Sequence, residues 1–267
     1  METTMTGPLY VDGATGYDSM FARVTAAYIP ALMDVAVIAA GHRVLDVATG
    51  TGAAARAAAE LVGPTGEIVA GDISSTMLKV ARRNPENSAI KFQLLDGHAL
   101  PFPDSRFDRV ICQLGLAFFE DPARGLAEFR RVLAPGGRTA ITVNSTPERS
   151  LFTRICTVIG KHVPAKAEQL NRYASIRTAE RLSALLHGAG FTEVMVRSEL
   201  RSFSFASFDD YFSGTDAGAG ISGQEYVKLS ADLRHAVREE VRQSFPDAGK
   251  REPLIVEMEV LVGSGTT

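Results

Sequence analysis

A formal net charge of −3 spread over 267 residues excludes the basic field that a general nucleic-acid binder carries, and 45% hydrophobic with 22% charged residues excludes a disordered chain. The length suffices for one large domain with a sizeable core. The two cysteines, Cys112 and Cys156, stand in no metal-ligand or disulfide-framework spacing, so both are expected as buried thiols in a reducing cytoplasm.

The first twenty residues lack a basic segment followed by an apolar one, so no leader is expected there. From Asp18 to Ala40 apolar residues recur at helical spacing, and Pro30 predicts either two helices or a kink. The run from Ile29 to Ala40 contains Asp34 and is too short to cross a bilayer. A strand is predicted at 43–48, followed by a glycine turn through Gly50 and Gly52 and an alanine-rich helix to Val62. Gly63 to Gly66 reads as a turn, Glu67 to Gly71 as a second strand ending on Asp72, and Ser74 or Ser75 as the cap of a helix to Arg83. A third strand, Ile90 to Leu95, ends on Asp96-Gly97-His98, and a fourth, Phe107 to Cys112, on Gln113. Asp121 caps and Pro122 opens a helix to about Leu133; Ala134 to Gly137 turn the chain into a fifth strand, Arg138 to Asn144.

After Asn144 the alternation changes. Residues 146–177 look helical and amphipathic, and Thr178 to His187 is a helix followed by a strand from Phe191 to Val196. An aromatic segment, Phe203 to Phe212, leads into a glycine-rich break at 214–223, a charged helix at about 224–245 and a last strand, Pro253 to Val262; Gly263 to Thr267 are expected to fray. Strands alternating with helices of these lengths predict a doubly wound, mostly parallel sheet with helices on both faces.

The glycine turn lets the backbone approach a ligand, and the first amides of the next helix point at it. Acids at three successive strand ends give that ligand a character. Asp46, four residues before Gly50, would repel a pyrophosphate and attract an ammonium and a sulfonium. Asp72, 20 residues after Gly52, is placed to accept from both hydroxyls of a ribose. Asp96 can accept from an adenine amino group, with Gly97 and His98 beside it, and Gln113 faces the cleft at the reactive end. Each has a plainer reading: Asp72 as a helix cap, Asp46 as a buried acid bonded to loop amides, Asp96 as a turn residue.

These residues carry a resemblance. Val44-Leu45-Asp46-Val47-Ala48-Thr49-Gly50-Thr51-Gly52 resembles the first motif of the class I S-adenosylmethionine (SAM)-dependent methyltransferases. Asp72 to Leu78 resembles their ribose motif, Asp96 to Phe102 with Phe107-Asp108 the third, and Leu126 to Gly137 the helix and turn before the fifth strand. The subgroup is the type 11 group, near ubiquinone/menaquinone-biosynthesis methyltransferases, and Gly16-Tyr17-Asp18 is similar to its N-terminal segment. The resemblance implies one Rossmann-like α/β domain over 1–267 with a seven-stranded sheet. In it, 16–145 form the cofactor-binding core and 146–177 and 203–252 form lid or substrate insertions.

It also implies SAM as cofactor and S-adenosylhomocysteine as product. Asp46, Ala48, Thr49, Gly50 and Gly52 would hold the methionine part, with Tyr17 closing over it. Asp72 would bind the ribose, Ile73 and Met77 flank the adenine, Asp96, Gly97 and His98 lie at its edge, and Gln113 touches the methionine end. Ala48-Thr49 depart from the Gly-Cys or Gly-Ser of many members, and Ala55 from the third glycine.

Methyl transfer from a sulfonium is an in-line displacement, so alignment and exclusion of water are the main requirements. No general base is assigned; His98 is the best placed of the five histidines. The expected acceptor is a small aromatic or hydrophobic metabolite, methylated on O, N or C, with Phe203 to Phe212, Phe118, Phe119 and Phe152 forming either an apolar lid or ordinary core. No nucleic-acid partner, metal or membrane segment is expected, and a homo-oligomer stays open. A non-catalytic SAM-binding sensor and an NAD-linked oxidoreductase are the alternatives, the second disfavoured by Asp46.

Overall fold

A computed structural model describes residues 20–245 and 253–267. Two short helices, α1 (Met20–Ala26) and α2 (Ile29–Ala36), divide at Pro30, which sits in the first turn of α2 where its missing N–H costs nothing. The core then alternates as β1 (Arg43–Val47), α3 (Ala53–Val62), β2 (Glu67–Asp72), α4 (Ser75–Arg83), β3 (Lys91–Leu94), β4 (Phe107–Gln113), α5 (Pro122–Val132) and β5 (Leu133–Asn144). Ser74 caps α4 by accepting from the Met77 amide, and Asp121 caps α5 by accepting from Arg124.

The remainder is α6 (Leu151–His162), α7 (Pro164–Tyr173), α8 (Ala179–Gly188), β6 (Thr192–Phe205), α9 (Phe208–Asp216), α10 (Gly220–Val227), α11 (Ala231–Gln243) and β7 (Leu254–Thr266). The seven strands form one sheet in the order β3-β2-β1-β4-β5-β7-β6, with β7 alone running antiparallel to its neighbours. Helices α2 and α3 pack on one face against Val44, Ile68, Ala70, Ile111 and Ala140. Helices α5 and α8 cover the other, against Leu45, Val47, Val110, Ile141 and Val143. This is the doubly wound Rossmann-like sheet that the alternation predicts.

Four expectations change. Ala134 to Gly137 do not separate helix from strand; they form a wide bulge inside β5, because Phe107 pairs with Leu133 and Arg109 already with Arg138. Strand β6 does not stop at Val196 but pairs with β7 as far as Phe205 opposite Leu254. The aromatics Phe203 and Phe205 therefore belong to the sheet. The glycine-rich break shrinks to 217–219, since α10 begins at Gly220.

The frayed tail is the fourth correction. Gly263, Ser264 and Gly265 are buried, and β7 stays paired to Arg138 and Thr192 through Thr266. The glycines are there because the helix layer leaves no room: a Cβ on Gly263 would lie 2.8 Å from Leu182 Cδ2, and one on Gly265 2.8 Å from Phe191 Cβ.

Beyond Asn144, where β5 ends opposite Val260, β6 and β7 continue as a two-stranded arm. Helices α6, α7 and α9–α11 build a second apolar cluster on that arm, around Phe205, Leu254, Val256 and Met258. Phe208, Tyr211 and Phe212 are buried in it, with Phe208 and Phe212 stacked at 5.6 Å. The cap thus stands over the carboxyl ends of the parallel strands, where open α/β sheets hold their ligands.

Candidate functional site

The loop after β1 is set by backbone strain. Ala48, Gly50 and Gly52 all adopt positive φ, at 59°, 55° and 86°, and Gly52 is the N-cap of α3. Gly50 and Gly52 enter this region at no cost, whereas Ala48 does so against its Cβ. Gly115, after β4, fits beneath it only because it has no side chain: a Cβ there would lie 2.4 Å from Ala48 Cβ. The Thr49 amide donates to Gly71 O at 3.0 Å, which fastens the loop to β2.

Asp72 ties the second motif to the first. Its Oδ2 accepts from the Gly50 amide and its Oδ1 from the Ser74 amide, both at 2.8 Å. Burial raises its pKa, opposed by the amides of Ser74, Gly50 and Ile73. The carboxylate keeps lone-pair capacity beyond these amides, so it can still accept from a ligand hydroxyl. Asp72 is therefore cap, loop anchor and cavity wall together.

Asp46 is fully buried behind the loop. Its Oδ2 accepts from Thr49 Oγ1 at 2.6 Å, while Oδ1 has no hydrogen-bond partner. Burial pushes its pKa up to about 7, opposed by the Thr49 hydroxyl and the Ala55 amide and reinforced by Asp72. An acid with an orphaned oxygen under a loop lined by further acids is a cradle for positive charge.

On the other side of the cavity, His98 is locked. Its Nδ1 lies 2.8 Å from Asp96 Oδ1, and its Nε2 accepts from the Asp121 amide at 3.2 Å, which places the ring proton on Nδ1. The ring also leans on Phe119, 4.9 Å between centroids. With both nitrogens engaged it serves as a wall. Asp96, although partly desolvated, is held below its usual pKa by the His98 amide and ring. Gln113, at the tip of β4, donates from Nε2 to Thr25 O at 2.7 Å and so pins α1 over the cavity.

One cavity joins these groups. Ala48, Gly50, Asp72, Ile73, Met77, Asp96, Gly97, His98 and Gln113 line it; Asp46, Thr49 and Gly52 lie behind its wall, and Tyr17 falls outside the described residues. Ile73 is 46% exposed at the cavity wall, which leaves its side chain free to pack on a flat ring.

The cavity then continues past Gln113 between Phe118, Leu151, Phe152, Ile221, Met258 and the Tyr28 ring, with Asn144, Arg149, Ser150 and Glu259 at its edge. Phe118 meets Phe152 edge-on at 5.3 Å. Of the aromatics expected as lid or core, Phe118, Phe119 and Phe152 line the cavity, while Phe205, Phe208, Tyr211 and Phe212 are core of the cap. Sequence reasoning missed Thr25, Tyr28, Asn144, Leu151, Ile221 and Met258, which come from six separate elements and loops. Only Asn144 had a signal: it ends β5 as Gln113 ends β4.

Among the described residues no group of His, Cys, Asp and Glu is arranged for a metal, and no helix is long and apolar enough to cross a membrane. Both cysteines are buried and free, and burial pushes both thiols far up.

Residues 45–141 match the family model described as a methyltransferase domain. The ubiquinone/menaquinone biosynthesis C-methyltransferase UbiE of Pseudoalteromonas translucida is 34% identical over 169 residues, 57% of this chain and 67% of that protein. UbiE of Pseudomonas aeruginosa PAO1 is 35% identical over 178 residues, 61% of this chain and 70% of the relative. Among solved structures, the YcgJ protein of Bacillus subtilis superposes with a TM-score of 0.61 at 18% identity, over 90% of this chain and 98% of its own. A Bacillus halodurans protein proposed to be a methyltransferase gives 0.61 at 23%, with the same coverage. The [4+2]-cyclase SpnF gives 0.58 at 18%, over 98% and 87%. These structural likenesses speak to the fold.

Proposed function

The chain belongs to the type 11 group of class I SAM-dependent methyltransferases, and we propose that it methylates a small, apolar, ring-bearing metabolite held between Phe118, Phe152 and Met258. Membership sets aside both the nicotinamide-linked and the non-catalytic alternatives. SAM, when bound, supplies an electrophilic methyl group on a sulfonium.

The residues of the cradle fit such a cofactor. Asp46, with its orphaned Oδ1, and the Ala48–Gly52 loop suit the cationic methionine end, Asp72 the ribose, Ile73 and Met77 the two sides of the adenine, and Asp96 with the Gly97-His98 backbone its edge. Tyr17 is assigned to closure over the methionine part. Gln113 stands between the halves of the cavity and fixes the helix that covers both. What these side chains do is orient two reactants and keep water out, which is most of what an in-line displacement needs.

The observation that carries the acceptor assignment is the wall beyond Gln113, where aromatic and aliphatic side chains outnumber polar ones and Arg149, the cation among the described lining residues, is paired with Glu257. Residues 146–177 and 206–245 supply most of that cap and serve as the substrate insertions. The name of the UbiE relatives makes a hydroquinone ring the first acceptor to try, while the acceptor atom is left open among C, O and N. No nucleic-acid partner is assigned, and a cytoplasmic location suits two free buried thiols.

The test is turnover with methyl-labelled SAM against three sets of acceptors: apolar hydroquinones and phenols, strongly ionic metabolites, and bulk protein or tRNA. Label in the first set is expected. Transfer only to protein or tRNA overturns the assignment.

A further inference from the structure

The far half of the cavity is apolar, and among the described residues Asn144 brings to it an amide nitrogen with no hydrogen-bond partner at all. Asn144 closes β5, on the strand face of Ala140 and Thr142, and reaches the cavity beside Val260. Its Oδ1 accepts from Ser150 Oγ at 3.1 Å. Ser150 Oγ also accepts from the Thr153 amide as the N-cap of α6. With the hydroxyl proton on Asn144 Oδ1, the Nδ2 amide lies on the other branch of the side chain. Among the described residues Nδ2 has no hydrogen-bond partner.

The other side-chain donors around the cavity each hold at least one partner. The Tyr28 hydroxyl donates to Met258 O at 2.8 Å, and Gln113 Nε2 to Thr25 O at 2.7 Å. Arg149 pairs with Glu257, and His98 spends its proton on Asp96. Glu259 offers only acceptors, and strand alternation puts its side chain on the face opposite Met258 and Val260.

We propose that Asn144 sets acceptor specificity: its Nδ2 amide donates to a carbonyl or phenolate-type oxygen carried by the apolar ring. An apolar chamber with a few placed polar groups is the usual economy of small-molecule sites, in which burial supplies affinity and the polar groups fix orientation. That bond holds the ring in one register against the methyl donor, so the same residue helps decide which ring position is methylated. The inference rests on the reading that the far half of the cavity takes an apolar acceptor.

The test uses two bicyclic probes of the same shape, 1-tetralone and tetralin, which differ only in a carbonyl. Their affinities are measured on the full chain loaded with S-adenosylhomocysteine. Asn144→Asp keeps the acceptor for Ser150 and replaces the inward donor by an acceptor.

The expected result is a loss of about five-fold in tetralone affinity, the share of one neutral hydrogen bond, with tetralin and S-adenosylhomocysteine affinities within two-fold of wild type. Asn144→Leu should weaken tetralone similarly and hold or improve tetralin, and it provides the same ratio should Asn144→Asp lose S-adenosylhomocysteine. An unchanged tetralone-to-tetralin ratio in these variants overturns the role of Asn144 and leaves the apolar-acceptor reading standing, as does an equal loss for both probes. If neither probe binds the loaded wild type, the apolar-acceptor reading fails and the role of Asn144 with it.

Discussion

Asp46 should make the protein less stable and its cofactor site better. Burial moves its carboxyl from 3.8 to about 7 in the folded chain, so the folded state holds this proton more tightly than the unfolded one. Stability from this group is full below about pH 4, falls as pH rises while the unfolded chain ionises and the folded one does not, and levels off above pH 7. Between pH 5 and 7 the loss is two pH units at about 1.4 kcal/mol each, or about 3 kcal/mol. Asn at position 46 keeps an acceptor for Thr49 Oγ1 and removes the titration.

Denaturant melts of wild type and Asp46→Asn without ligand should therefore diverge by about 3 kcal/mol from pH 5 to 7, in favour of the variant, and run parallel from pH 7.5 to 9. The same acid must ionise to hold a sulfonium and an ammonium. Calorimetry of SAM binding at pH 6, in buffers of different ionisation enthalpy, should show release of nearly one proton. That release should vanish at pH 8 and in Asp46→Asn at pH 6. The amino group of SAM titrates near 8 and stays out of the lower window. Parallel pH–stability curves for the two proteins, or proton release unchanged in the variant, would refute the placement of the titration on Asp46.

Asp72→Ala removes the anchor of the Gly50 amide and the diol acceptor together, and SAM affinity measured by calorimetry should fall about 100-fold, the worth of two bonds to a charged acceptor. Gly115→Ala would set a Cβ 2.4 Å from Ala48 Cβ; a stability loss of about 1–3 kcal/mol is expected in thermal melts, with weaker SAM binding as the loop shifts. Ala48→Gly should stabilise by about 0.5–1 kcal/mol, because φ of 59° no longer opposes a Cβ. Deleting 263–267 removes the pairing of β7 with Arg138 to Ile141 and the Arg138 bonds to Ser264 and Thr266; circular dichroism should show loss of cooperative folding at 37 °C.

The cofactor half was legible because its information is local. Asp72 and Gln113 close β2 and β4, Asp46 lies one residue inside the end of β1, and Gly50 and Asp96 stand in the loops just after β1 and β3; parallel strands bring these carboxyl ends to one edge whatever the helices between them do. Five apolar runs with caps at Ser74 and Asp121 were therefore enough to gather nine of the expected residues around one cavity. The cap was less legible because its elements are set by contacts across the chain. Phe203 and Phe205 look like a lid in a string of aromatics, yet they pair with Val256 and Leu254, about fifty residues later. Gly263 and Gly265 look like a frayed end, and only the positions of Leu182 and Phe191 reveal why they are glycines.

Gln113 marks the border between these two kinds of information. As a strand-end residue it belongs to the half that sequence motifs describe, but its amide donates to Thr25 O, in the last turn of α1, at 2.7 Å. The helix it holds brings Val24, Thr25 and Tyr28 over the cavity, and Tyr28 in turn bonds to Met258 O on the arm. A chain of two hydrogen bonds thus runs from the cofactor edge of the sheet, through the covering helices, to the wall of the acceptor chamber.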